Sequence, residues 1–246
     1  MKIAVAGGTG AVGAHVVAAL VAAGHEPVVL SRSTGIDLMT GLGLDGALSG
    51  AAAVVDASGQ TRTLASASRR FFGTVTRNLL ESERRAGVGH HVVVSIVGAA
   101  AVNAGYFAGK RLQEDLVTAS GAGWTILRAT QFYEFAPMLV RTASVGPFVV
   151  APQMKCQPVS AAEVGAALAA LAVGEPRGLV PDLGGPGREV MGDMVRQYLK
   201  RTGKSQRVLE ITVPGRWWHA LRDGSILPGA NAQRGSQSYE DWLLEQ

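Results

Sequence analysis

The sequence predicts an α/β protein built on a doubly wound parallel sheet. Three observations carry this. Short apolar runs alternate with helical stripes from the N-terminus to about residue 130. Some of these runs are apolar on both faces, as Val92-Val93-Val94 is, which suits a strand covered by helices on both sides. The first run ends in a glycine cluster and passes straight into a helical stripe.

Taken in order, Ile3 to Ala6 is the first strand. Ala11 to Ala23 forms the first helix, with Val12, Val16, Leu20 and Ala23 on one stripe and Gly24 as its stop. Pro27 to Leu30 is the second strand, Gly35 to Leu38 a short third, and Leu42 to Leu48 a short helix. Ala51 to Asp56 is the fourth strand. A long helix over Ser66 to Arg85 repeats apolar residues at Phe71, Val75 and Leu79. His91 to Ser95 is the fifth strand, Gly105 to Ala119 a helix and Trp124 to Arg128 the sixth strand. Beyond residue 130 the pattern loosens. Gln131 to Val140, Ala161 to Val173, Met191 to Arg201, Trp217 to Leu221 and Tyr239 to Leu244 read as helices, with Ser160 and Glu163 as a capping box. Leu179 to Leu183 and Val208 to Val213 read as strands. No linker or repeat appears, so the chain reads as one domain over 1–246. It has a nucleotide-binding core over 1–130 and a small α/β lobe over 131–246 woven onto it.

Composition agrees. The chain has 246 residues, 47% of them hydrophobic, enough for one sizeable core. A single cysteine, Cys156, excludes an internal disulfide framework and points to a reducing compartment. The net charge of +4 is modest. Arg62, Arg69, Arg70, Arg77, Arg84 and Arg85 are interrupted by Glu81 and Glu83, which reads as a solvated face and not a nucleic-acid surface. No run is long enough to span a membrane, and the early glycines break the apolar core that a secretory signal needs. These features predict a cytoplasmic protein, monomer or homodimer, with a small-molecule substrate. No His/Cys spacing suits a metal.

The chemistry starts in the first turn, Gly7-Gly8-Thr9-Gly10-Ala11-Val12-Gly13. Gly7 permits the tight turn, Gly10 lets a pyrophosphate approach the backbone, and Gly13 lets the helix pack close to the strand. The helix start offers free N–H groups and a positive dipole end to phosphates. The second strand ends at Ser31-Arg32-Ser33. A carboxylate there would hold a ribose 2′-hydroxyl; an arginine without one accommodates a 2′-phosphate, so NADP(H) is favoured over NAD(H). Tyr106 and Lys110 lie four apart and share a helix face. A nearby ammonium would lower the phenol from its ordinary pKa of about 10. Ser95 ends the preceding strand and could orient a carbonyl while Tyr106 gives or takes the proton and Lys110 contacts the cofactor ribose.

These segments, with Val94-Ser95, Glu114 and Trp124 through Phe132, resemble the short-chain dehydrogenase/reductase superfamily, in particular its extended and atypical NmrA-like NAD(P)-binding branch. The resemblance implies a Rossmann-type core, NADP(H) across the strand ends and a substrate pocket roofed by the C-terminal lobe. It brings Asp37 towards the adenine, Ser58 and Gly59 along the cofactor, and a loop bearing Gln131, Phe132 and Tyr133 to the substrate. Two departures stand out. The interval from Ser95 to Tyr106 is slightly shorter than in catalytic relatives, and Ala129 replaces a common proline. The expected function is an NADP(H)-dependent oxidoreductase acting on a small, largely apolar carbonyl-type substrate. The alternatives are a non-catalytic NADP(H) redox sensor and a nucleotide-sugar epimerase or dehydratase. Trp217, Trp218 and Trp242 are expected to pack the C-terminal lobe.

Overall fold

A computed structural model describes all 246 residues. The elements run β1 (Lys2–Ala6), α1 (Gly13–Ala22), β2 (Glu26–Leu30), α2 (Leu44–Leu48), β3 (Ala53–Asp56), α3 (Ala65–Ala86), β4 (His90–Ile96), α4 (Gly105–Thr118) and β5 (Trp124–Ala129). There follow α5 (Phe135–Thr142), β6 (Ser144–Val145), β7 (Phe148–Pro152), β8 (Lys155–Cys156), α6 (Ala161–Ala172), β9 (Gly178–Leu179) and β10 (Leu183–Gly184). The chain ends with β11 (Glu189–Val190), α7 (Met191–Arg201), β12 (Arg207–Ile211), α8 (Arg216–Asp223), β13 (Gln233–Arg234) and α9 (Tyr239–Leu244). Two compact units result: Met1–Arg128 with Ala162–Pro181, and Ala129–Ala161 with Asp182–Gln246. The segment carrying α6 and β9 thus joins the first unit, although it lies beyond residue 130.

The first unit is a parallel sheet in the order β2-β1-β3-β4-β5, with β9 on β5. Its central strands β1, β3 and β4 are short, rich in β-branched and small residues, and almost wholly buried, whereas β2 is only partly buried. One face holds Ala4, Ala6, Leu30 and Val54 against Leu44 and Leu48 of α2 and Val75 and Leu79 of α3. On α6, a Cβ at Gly165 would stand 2.5 Å from His15 Cβ on α1, so this glycine sets how closely those helices approach. Strand order reverses around β1, between β2 and β3, and a ligand crevice opens outside the carboxyl ends at such a reversal.

The stretch Gly35 to Leu38, expected as a strand, does not join the sheet. Asp37 Oδ1 accepts the Met39 N–H at 2.8 Å, Ile36 N–H bonds back to Ser31 O, and only an isolated bridge joins Asp37 to Leu42. The side-chain bond offers the backbone a turn in place of a ladder. The expected strand Leu179 to Leu183 is also split, into β9 and β10. Pro181 lies between them and has no N–H to donate.

In the second unit, β6 and β7 form an antiparallel hairpin turned at Gly146 (φ +55°), and β12 adds parallel to β7. The pair β8 and β11 is antiparallel; β10 and β13 are parallel, with Leu183 opposite Ala129. Tyr133, Tyr239 and Trp242 pack as one aromatic group with ring centroids 5.3 to 5.9 Å apart.

Candidate cofactor and active site

The glycine turn stands at the strand-order reversal. Gly7 has φ +73°, and a Cβ there would meet Ala57 O at 2.7 Å and Ser58 Cα at 2.8 Å, so only glycine lets the end of β1 lie against the end of β3. Gly13 is more constrained still: its Cβ would come 2.1 Å from Gly7 O. Gly10 differs from both. Its φ is not left-handed, and the sole near neighbour of a Cβ would be Gly7 O at 3.2 Å. The protein itself leaves the space beside Gly10 open. Within the turn, Gly7, Gly8 and Gly10 donate their N–H groups to Leu30 O, Val5 O and Gly7 O. Those of Thr9, Ala11 and Val12 have no protein acceptor. Free N–H groups at a helix start beside an open glycine fit a diphosphate.

At the end of β2, Ser31, Arg32 and Ser33 enter a single 3-10 turn held by Thr34 Oγ1, which donates to Val29 O and Ser31 O at 2.8 Å. Ser31 and Ser33 hydroxyls pair at 2.8 Å. Arg32 is exposed, and its side chain has neither ion pair nor hydrogen bond. Asp37 lies a few residues on, with its carboxylate holding Met39.

The ends of β3 and β4 and the first turns of α4 carry a buried polar group of side chains. Asp56 Oδ1 accepts Ser58 N–H at 2.9 Å, and Asp56 Oδ2 accepts Gln113 Nε2 at 2.7 Å. Lys110 Nζ donates to Gln113 Oε1 and, at 2.6 Å, to Val94 O. The ammonium also lies 4.5 Å above the centre of the Phe72 ring, whose edge-to-face partner is Tyr106 at 5.3 Å. Close packing of α4 on α3 makes this possible: a Cβ on Gly109 would stand 2.1 Å from Ser68 Oγ, and Ser68 Oγ donates to Tyr106 O at 2.8 Å. Burial pulls Lys110 down to about 8, against the opposing pull of Asp56 and Glu114. Burial and the Asp56 charge push the Tyr106 phenol up, opposite to the lowering expected from a neighbouring ammonium. The reason is geometric: Lys110 turns its ammonium to Val94 O and Gln113, and Tyr106 Oη takes no bond from it.

Three buried hydroxyls have no partner, those of Ser58, Thr76 and Ser95, and two of them, Ser58 and Ser95, lie at strand ends. Ser95 is 4% exposed and Ser58 is 6% exposed, and neither Oγ makes a hydrogen bond. Both lie at the carboxyl ends of the neighbouring strands β3 and β4. A buried hydroxyl without a partner is costly, and a bound ligand would relieve it. Gly59 beside them is exposed with open space where a Cβ would stand. Together with the glycine turn, these groups fit NAD(P)H.

Asp56, Gln113 and Phe72 were not singled out from sequence. Asp56 at a strand end and Gln113 three residues after Lys110, on the same helix face, were the available signals. Glu114, one turn after Lys110, takes a bidentate ion pair from Arg128 at 2.9 and 2.6 Å. Of the expected substrate loop, Gln131 and Phe132 are half-buried, with Phe132 bridged to Val159. Tyr133 is 1% exposed and donates its hydroxyl to Gln237 O at 2.6 Å, so its ring belongs to the core of the second unit and is not an open pocket wall. Cys156 is buried, and burial pushes its thiol up to about 12. His90 and His91 point apart, to Thr125 and Gly174 O on one side and Glu83 on the other.

These features define a dinucleotide-binding α/β protein. A family profile described as NAD(P)H-binding matches residues 7–173, more than half of the chain, and the protein belongs to that family. No curated protein sequence matches. Among solved structures, UDP-glucose 4-epimerase from Thermus thermophilus, in complex with NAD, is similar with TM-score 0.69 and 20% identity, over 100% of this chain and 92% of that one. The NADPH-dependent quinone oxidoreductase of Escherichia coli, complexed with NADPH, is similar with TM-score 0.66 and 20% identity, over 91% of this chain and 88% of that one. A nucleoside-diphosphate-sugar epimerase from Staphylococcus aureus gives TM-score 0.72 at 13% identity, over 99% of each chain. No helix is long and apolar enough to cross a membrane.

Proposed function

We propose that the protein is an NADP(H)-dependent oxidoreductase that reduces a small, largely apolar carbonyl-type compound. The observation that carries this reading is the Ser95 hydroxyl, buried at the end of β4 without a protein partner. Such a hydroxyl is free to donate to a substrate oxygen. The cofactor supplies the hydride when bound. Tyr106, whose phenol stays protonated across the neutral range, is the proton donor to that oxygen. Lys110 keeps its charge, held on Val94 O and Gln113. Thr9, Ala11 and Val12 N–H bind the diphosphate, Ser58 and Gly59 flank the cofactor, and the unpaired Arg32 receives the 2′-phosphate.

The test is a titration with NADPH and NADH, repeated in Arg32→Ala, followed by a panel of quinones, aldehydes and ketones. Arg32→Ala should lose roughly tenfold or more in NADPH affinity and little in NADH affinity. Tyr106→Phe should bind NADPH normally and lose about 10²–10⁴-fold in turnover. Equal affinity for both cofactors in the wild type would refute the NADP(H) preference. The inward turn of Lys110 favours a second reading, a redox sensor that binds NADP(H) without turnover. Tight NADPH binding with no consumption across the panel would shift the weight to it.

A further inference from the structure

The second unit contains a cleft of about 490 Å³ whose lining residues include none assigned above. Its frame is fixed. Gln157 is 6% exposed and clamped to Gly185 by two bonds: Gln157 Nε2 donates to Gly185 O at 2.8 Å, and Gly185 N–H donates to Gln157 O at 3.1 Å. Thr130 Oγ1 donates to the same Gln157 carbonyl at 2.6 Å. A Cβ at Gly185 would stand 1.8 Å from Pro158 O, so the backbone there is packed to the limit. Arg234 is set on β13 opposite Gly184 of β10, and Gly235 N–H bonds Gly184 O at 2.8 Å. Arg188, in the loop just before β11, also lines the cleft.

Arg188 and Arg234, both exposed, line a space shared otherwise with Pro186, Pro228, small residues and Gln157, with no carboxylate among the lining residues. Neither the Arg188 nor the Arg234 side chain has an ion pair or hydrogen bond within the chain. Other arginines of this chain do have carboxylate partners: Arg196 holds Asp193 and Glu210, and Arg85 holds Asp45 and Glu81. Two unpaired planar forks over a rigid, acid-free cleft match the acceptor geometry of a carboxylate or phosphate. The proline and alanine walls suit a compact organic body behind that anion.

The geometry points to an anion-binding cleft, in which Arg188 and Arg234 hold the carboxylate or phosphate of a small organic ligand. This inference does not rest on the cofactor reading. The experiment is calorimetric titration of the full chain at low salt with inorganic pyrophosphate and, separately, with succinate. It is carried out on a Gly10→Val background to remove the glycine turn as a competing phosphate site. Saturable binding of either probe that falls tenfold or more in Arg188→Ala and in Arg234→Ala, and is unchanged in Lys204→Ala, is the expected result. Preference for pyrophosphate identifies a phosphate ligand, and preference for succinate a carboxylate. Arg188→Lys and Arg234→Lys keep the charge and lose the fork, so they should bind with intermediate strength. Failure of both probes to bind would overturn the proposal, as would binding that survives the double Arg188→Ala/Arg234→Ala variant. Circular dichroism of each variant reports folding separately.

Discussion

Gln113 joins Asp56 to Lys110 across the buried edge of the sheet: its amide nitrogen donates to Asp56 Oδ2 at 2.7 Å while its amide oxygen accepts from the ammonium. A carboxylate and an ammonium buried together without direct contact need such a relay, because each charge must find a partner. The relay also fixes which way Lys110 faces.

Gln113→Leu keeps the volume of the side chain and removes the relay. It leaves Asp56 short of a donor and Lys110 short of an acceptor, so the folded state should lose about 1–3 kcal/mol. The midpoint of urea unfolding should fall with an unchanged slope. No loss of stability would mean that water satisfies both groups.

Gly10 and Gly13 should respond in opposite ways. Gly13→Ala brings a methyl to 2.1 Å from Gly7 O, and α1 must shift; a loss of about 1–3 kcal/mol is expected, in the range of overpacking. Gly10→Val meets one atom at 3.2 Å and should unfold close to the wild-type midpoint. Its NADPH affinity should nevertheless collapse, because its branched side chain fills the space beside the free N–H groups. Unfolding curves and cofactor titrations on the two variants separate the structural glycine from the ligand-facing one.

Removing an unpartnered hydroxyl should not harm the ligand-free protein. Ser95→Ala and Ser58→Ala are therefore expected to leave stability unchanged or slightly raised, by up to about 1 kcal/mol. Ser58→Ala should weaken NADPH. Ser95→Ala should leave NADPH affinity intact and lower kcat by roughly 10²-fold or more once a substrate is in hand. Clear destabilisation by either variant would mean that the hydroxyl has a partner within the folded chain.

The N-terminal half of the fold was legible because its signals are local. An apolar run, a glycine turn and a helical stripe each follow from a few neighbouring residues, and β1, α1, α3, β4, α4 and β5 fall where the periodicity put them. Gly35 to Leu38 misled because Ile36 and Leu38 are apolar for another reason: they pack on the core from a turn held by Asp37. The signal for β7 is local too: Phe148 to Ala151 is an apolar run bounded by Gly146-Pro147 and Pro152. Motif spacing puts Tyr106 and Lys110 on one helix face but does not tell which way an ammonium turns. That depends on Gln113, Phe72 and Val94 O, which are brought together by packing of α4 on α3. The family resemblance brings Tyr133 to the substrate, but nothing local to residues 129–133 shows that Tyr239 and Trp242 pack against its ring.

Lys110 also gives a dependence of stability on pH with a definite sign. Burial lowers its pKa from 10.5 to about 8 in the folded protein. Between those values the unfolded chain carries a proton that the folded chain does not, so this residue makes stability rise with pH. Below about 8 both states hold the proton and the full penalty remains. Tyr106 acts in the other direction. Its pKa is raised, so above about 10 the unfolded chain releases a proton that the folded chain keeps, and stability falls. The useful window is therefore pH 8 to 10. Lys110→Met removes the titrating group and leaves the others, which cancel when the two proteins are compared. Across that window the wild type should gain on the variant by roughly 2 kcal/mol, the ceiling being about 1.4 kcal/mol per pH unit. Urea unfolding of both proteins at half-unit steps measures the gain. A difference independent of pH would show that the ammonium is solvated as an ordinary lysine is, and that the buried relay through Gln113 does not hold it.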